Sequence, residues 1–287
     1  MTSSSRDHDH DHSHDPAQGG DLLDRGLHFD LAHLRDRRAA LKLMGLSAAG
    51  LGGAAVLLGS GAGGAAALAS SGTSTCTAEE IPEETAGPYP GDGSNGPDVL
   101  TESGVVRRDI RRSFGDSTTK APGVKHTFVL RLTSTETCKP LKGLAVYAWH
   151  CNREGKYSMY SEGITDENYL RGVQVSNAKG RVRFTSIYPA CYSGRWPHIH
   201  FEVYANKKQA LNGGDPIATS QMAMRRKPSM HVYRNATGYS ASVKNLESIS
   251  LSSDNVFGDD NGVDQLPTTT GSIEDGYHSV LHVPIDL

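Results

Sequence analysis

No Cys-x-x-Cys pair occurs in these 287 residues, no lipobox precedes the first cysteine, and neither sign of charge is in clear excess. The first absence removes a structural zinc knot, which needs closely spaced thiolates. The second argues against a lipid-anchored form. The third follows from the counts, 29 Lys and Arg against 32 Asp and Glu. Setting aside the six basic and eight acidic residues of 1–69 leaves 23 against 24. A chain so balanced has no electrostatic footprint for nucleic acid. Helical periodicity is scarce too. Outside 1–69 no amphipathic run exceeds about two turns, which turns the reading toward strands.

Residues 1–20, MTSSSRDHDHDHSHDPAQGG, are too polar and repetitive to pack a core, and 1–35 reads as a disordered His/Asp-rich extension. Its His8, His10, His12 and His14 could hold a metal weakly, but the segment reads as discarded. Over 36–69 an arginine pair, Arg37 and Arg38, precedes a Gly/Ala-rich apolar run that ends at Ala67-Leu68-Ala69 before Ser70. That is the form of a cleavable twin-arginine export signal. The run is long enough to span a bilayer, yet its glycines make it a poor membrane helix. The expected product is secreted or extracytoplasmic in a bacterium, with no stable membrane contact after cleavage.

From residue 70 to 123 the chain reads as a turn-rich arm, with four prolines in Glu80–Gly104. Residues 124–287 read as short strands. Val124–Ser134, Gly143–Asn152, Arg171–Ser176, Gly180–Pro189, His198–Asn206, Ile217–Met224 and Ser279–Ile285 alternate or are β-rich, with turn signals between them. The expectation is an all-β fold, a single β-sandwich domain with long loops. The longest, Ser229–Asp264, is polar, and its Asp254, Asp259 and Asp260 read as a solvated acidic loop, with calcium binding as the alternative. Cys76, Cys138, Cys151 and Cys191 all follow the signal, so an oxidising compartment suggests the pairs Cys76–Cys138 and Cys151–Cys191.

CYSGRWPHIHFEVY, Cys191 to Tyr204, carries the chemistry. On a strand, residues i and i+2 share a face, so His198 and His200 point together while Ile199, Phe201 and Val203 point the other way. Adding His150 would make a three-histidine zinc site. Adding tyrosines instead would make an anionic, oxygen-rich set suited to Fe(III).

These segments resemble the intradiol ring-cleavage dioxygenases. The family's first tyrosine segment stands here as Trp149, Asn152, Gly155 and Tyr157. Its second stands as Phe184, Ser186, Ile187, Pro189 and Tyr192, and its Arg/His segment as Arg195, His198, Ile199, His200 and Phe201. Thr85–Tyr89, TAGPY, resembles an element near the start of these domains. The resemblance implies one Fe(III) per chain held by Tyr157, Tyr192, His198 and His200. Tyr192 would be the labile ligand and Arg195 the stabiliser of charge on the substrate. Gln221 is the loose counterpart of a glutamine near the substrate, and Tyr89 would lean over the site. The implied reactants are a small aromatic diol and O2, and the products are cis,cis-muconate-type acids.

There are departures. Trp196 stands where a proline is usual, and a bridged Cys191 would restrain the neighbouring Tyr192. The helical dimerisation region of catechol 1,2-dioxygenases is missing, and the oligomeric state is left open. Two other classes compete with the enzyme. A secreted β-sandwich binding module would have lost the chemistry. A zinc hydrolase built on His150, His198 and His200 would leave both tyrosines unexplained.

Overall fold

Alternation of apolar and polar residues produces two four-stranded sheets in the computed structural model, which describes residues 78–287. The histidine-rich extension, the export segment and Cys76 lie outside the described residues. The strands are β1 (Lys125–Ser134), β2 (Ala145–Trp149), β3 (Arg171–Val175), β4 (Arg181–Ile187), β5 (His198–Tyr204), β6 (Ala218–Ala223), β7 (Thr268–Ser272) and β8 (Gly276–Ile285). One sheet has the order β4-β1-β8-β7 and the other β3-β2-β5-β6. The first includes a parallel pair, β1 with β8, from opposite ends of the domain.

Period-two patterning decides which side chains go between the strands' two surfaces. Phe128, Leu130 and Leu132 of β1 and Val182 and Phe184 of β4 join one apolar cluster with Val146, Ala148, Ile199, Phe201 and Val203 of the other sheet. The turn between β3 and β4 is fixed by Asn177, whose Oδ1 accepts from the backbone of Lys179 and Arg181 at 2.8 and 3.1 Å. Gly180 closes it at φ +66°, where a side chain would run into the Leu132 carbonyl.

The opposite face of the β3-β2-β5-β6 sheet is buried as well, because the arm covers it. Val99, Leu100 and Val105 pack there with Tyr147, Trp149, Val173 and Tyr204. The arm also pairs with two strand edges. Arg107 N donates to Val173 O at 3.0 Å on β3, and Ile110 N donates to Thr185 O at 2.9 Å on β4. Edges that would otherwise offer free backbone groups are thereby satisfied.

Three expectations change. Ser229–Asp264 is not a plain loop, because most of α2 (Arg226–Asn235) and all of α3 (Ser240–Glu247) fall within it. A five-residue helix, α1 (Lys207–Leu211), also follows β5. In α2 the buried Ser229, Val232 and Tyr233 form one face of a short helix that is polar overall and has Pro228 in its first turn, which hid it in the sequence. Second, Cys151 and Cys191 are free buried thiols, so the expected Cys151–Cys191 bridge is not formed. Third, Thr268–Ser272 adds a strand, β7, paired with β8. Among the described residues no helix is long and apolar enough to cross a membrane.

Two outcomes are expected. Burial pushes the Cys151 thiol up to about 12, and burial raises Cys191 further. Both should therefore resist a thiol reagent in the native protein and react on denaturation. Glu84, on the arm, is 5% exposed and accepts from Gln265 Nε2 at 3.0 Å; burial pushes its carboxyl from 4.5 up to about 8. Its folded value lies above its unfolded one. The stability it contributes is complete at acid pH and is lost as pH rises through about 8. In thermal melts from about pH 5 to about pH 9, wild type should lose stability relative to Glu84→Gln. Parallel curves for the two proteins would rule this out.

Candidate metal centre and active site

His198 opens β5 and His200 follows on the same face, opposite Trp149 of β2 and Gln221 of β6. The His200 ring lies flat against Trp149, with centroids 4.9 Å apart and planes within 3°. Tyr147 stacks on the far side of that indole. These contacts hold the imidazole plane before any ligand arrives. His198 Nδ1 donates to the Trp196 carbonyl at 2.5 Å, which leaves Nε2 as the lone-pair nitrogen.

Tyr157 arrives from the segment after β2, shaped by an Asn152 turn. Asn152 Oδ1 accepts from Glu154 N and Lys156 N at 2.9 and 3.0 Å. Gly155 sits at φ +83°, where an added Cβ would press on Tyr192 at 3.0 Å. Tyr192 follows Cys191, whose backbone is held from α3: its N–H donates to Ser242 Oγ, and its carbonyl accepts from Asn245.

The four side chains converge. His198 Nε2 and His200 Nε2 are 3.0 Å apart. Tyr157 Oη is 3.4 Å from each of them, and Tyr192 Oη is 3.3 Å from His198 Nε2. Donors about 2.0–2.2 Å from one ion would stand about 2.8–3.8 Å apart at right-angle to trigonal spacings. The measured edges fall in that interval, and two phenolic oxygens with two imidazoles form a donor set that fits a hard trivalent ion. The residues present therefore fit ferric iron. Burial raises the Tyr157 phenol well above its usual range, helped by the neighbouring Tyr192. Burial also lowers both imidazoles, with Arg195 adding to the effect on His198 and His198 to that on His200, so both rings are neutral.

Arg195 is 3% exposed. Its Nε donates to Asp254 Oδ2 at 3.1 Å, and its Nη2 donates to Gln221 Oε1 at 2.7 Å. Gln221 Nε2 in turn donates to Thr85 O at 2.9 Å, tying β6 to the arm. Tyr89 lies over Tyr157 with ring centroids 4.9 Å apart and meets Tyr160 edge-on at 5.3 Å. Tyr157, Tyr192, His198 and His200 are thus brought together, with Tyr89 against Tyr157 and Gln221 bonded to Arg195.

His150 is not among them. Its Nδ1 is bonded to the Cys151 carbonyl at 2.7 Å and its Nε2 to Ser186 Oγ at 2.6 Å, so neither nitrogen is available to complete a zinc site. Asp254 is likewise no solvated calcium ligand; it is 2% exposed. Among the described residues no group of three or more His, Cys, Asp or Glu could hold a metal. Any ion here depends on the tyrosines. Two contributors had no signal in the sequence. Asp254 sits in a polar stretch, and Arg171, 1% exposed, resembles any strand-end arginine.

The Dioxygenase family model (Dioxygenase_C) matches residues 95–197, ending one residue before His198. An intradiol ring-cleavage dioxygenase from Tetranychus urticae superposes with a TM-score of 0.58 at 25% identity, over 73% of this chain and 95% of that one. A second solved dioxygenase, Tetur07g02040, gives 0.55 at 24% identity over 72% and 94%, a likeness of fold. A chlorocatechol 1,2-dioxygenase of Rhodococcus opacus is 36% identical over 53 residues, 18% of this chain and 21% of that protein. The chain therefore spans only about a fifth of that relative's length in the match. The family model and these neighbours point the same way, and the chain is similar in part of its sequence and in its fold to intradiol ring-cleavage dioxygenases, which are oxidoreductases.

Proposed function

We propose that the protein is an Fe(III)-dependent enzyme of the sandwich type. It would cleave catechol-type diols between their two hydroxyl-bearing carbons, consuming O2 and yielding cis,cis-muconate-type acids. The observation that carries this reading is the clustering of Tyr157, Tyr192, His198 and His200, with Tyr157 within 3.4 Å of both imidazoles, Tyr192 3.3 Å from His198 and the two imidazole nitrogens 3.0 Å apart. Bound there, ferric iron would supply Lewis acidity and a chelation point for both diol oxygens.

The side chains would do the rest. A buried phenol resists ionisation, so Tyr157 can persist as a phenolate only beside a strong positive charge. Neutral His198 and His200 present Nε2 without adding charge. Tyr192 is half-buried, while Tyr157, His198 and His200 are fully buried, and no bridge restrains Cys191. Tyr192 is thus the side chain with room to move, and its Oη would take one proton from the bound diol. Arg195 is permanently cationic and would stabilise negative charge developing on the ring without itself exchanging a proton. Tyr89, stacked against Tyr157, would roof the ring and exclude water. The arginine pair and apolar run of 36–69 support extracytoplasmic action on aromatic diols. Recovery of the protein from the cytosol alone would overturn that part.

The first test is the visible spectrum of the iron-loaded protein. A tyrosinate-to-iron band that shifts on adding catechol under nitrogen is expected, with ring cleavage once O2 is admitted. A protein that stays colourless with iron, or colours but never consumes O2 with any catechol, would defeat the reading. Tyr157→Phe should weaken the band and lower turnover by more than about 100-fold. Losing even an outer partner of a metal ligand typically costs about 10- to 100-fold.

A further inference from the structure

Arg195, just ahead of β5, places a permanent charge beside the site, and a guanidinium on a flexible stem is useful only if it is aimed. What aims it here is Asp254, 59 positions away in sequence. The Asp254 side chain is fully buried, and each of its oxygens accepts two hydrogen bonds. Oδ2 accepts from Arg195 Nε at 3.1 Å and from the Trp196 backbone N–H at 2.6 Å. Oδ1 accepts from Val256 N at 2.9 Å and Phe257 N at 3.1 Å. One oxygen therefore holds Arg195 and the backbone beside it, and the other is fixed to its own turn. Phe257 and Val256 then root that turn in the main apolar cluster.

Burial alone would push the Asp254 carboxyl up. The Arg195 guanidinium and three backbone N–H groups outweigh it and hold the group below the usual carboxylate range, so it is ionised. The clamp also needs a residue with a backbone N–H at 196. A proline there could not donate, so Trp196 is part of the device. The indole secures it further, with Nε1 donating to Met224 O at 2.8 Å.

Resting on the dioxygenase reading, we infer that Asp254 is a positioning residue for the ring-cleavage step. Through Arg195 Nε and Trp196 N–H it fixes the guanidinium, while Gln221 fixes the second nitrogen, so the charge is already oriented when the substrate becomes anionic. The Asp254 bonds run to Arg195, Trp196, Val256 and Phe257, none of which is among Tyr157, Tyr192, His198 and His200.

Asp254→Asn keeps the size of the side chain but removes the charge and turns one of the two acceptor oxygens into an NH2 donor, and Asp254→Glu keeps the charge but displaces it. In the iron-loaded protein, both should retain the tyrosinate band and its shift with catechol, since none of the four donors is touched. Turnover should fall about 10- to 100-fold with KM little changed, the signature of an interaction realised in the transition state. The nitrogen-15 NMR signal of Arg195 Nε–H reads the clamp without any activity. In wild type it should be slow to exchange with solvent, and in Asp254→Asn it should exchange at least about tenfold faster. Wild-type turnover in Asp254→Asn would overturn the inference, as would an unchanged Nε–H signal or activity lost together with the tyrosinate band. A wild-type protein that cleaves no catechol would instead overturn both the dioxygenase reading and the catalytic role given to Asp254. The exchange measurement would still report whether the clamp exists.

Discussion

The Arg171 guanidinium lies beneath the arm and donates to the carbonyls of Tyr89 and Pro90, to the Tyr147 hydroxyl, and to both Oγ and the carbonyl of Ser158. Those five bonds match the five N–H donors of an arginine, so a buried cation is accommodated by oriented dipoles. Two of the acceptors belong to the arm, one to β2 and two to the segment carrying Tyr157. Arg171 therefore fastens the arm to the sheet at the place where Tyr89 meets Tyr157. Gly91 lets this happen: at φ +66° a side chain there would sit 2.8 Å from Arg171 Nη1. Without the arm, the face bearing His198 and His200 would be open to water, and the tyrosines would lose the burial that sets their chemistry.

With the arm in place, the site is a low-dielectric pocket holding neutral donors and two ordered guanidiniums. Burial favours phenol over phenolate at Tyr157 and neutral over charged imidazole at His198 and His200. In the proposed ferric site, a small, highly charged cation would offset the cost of ionising the buried tyrosines. Arg195 is held by Asp254, and Arg171 is held by carbonyls and hydroxyls, so both guanidiniums are fixed in place.

Much of this was legible. Period-two alternation put His198 and His200 on one face and Phe201 and Val203 on the other, and β5 follows it. Seven expected strands correspond to β1–β6 and β8, with ends differing by up to three residues. The segments resembling the family also brought Tyr157 and Tyr192 to the histidines. The misses have physical causes. β7 is Thr-rich and mostly exposed, so it has no apolar face to announce it. α2 is only ten residues long, polar overall and carries Pro228 in its first turn, so it reads as part of a loop. The expected Cys151–Cys191 bridge rested on even cysteine number and compartment, which constrain chemistry but not geometry.

The sequence by itself determined the local geometry: strand periodicity, the Asn177 and Asn152 turns, and the order of the tyrosine and histidine segments. Backbone sterics and short-range hydrogen bonds act over a few residues, so their signals are written in adjacent letters. Tertiary structure alone decided that Asp254 meets Arg195, that Gln221 bridges Arg195 to Thr85, and that Arg171 pins the arm. It also decided that His150 turns to Ser186 and away from the donor cluster. Those contacts join segments dozens of residues apart. Their formation depends on how two sheets, an arm and two helices share one buried volume, and no spacing along the chain encodes that.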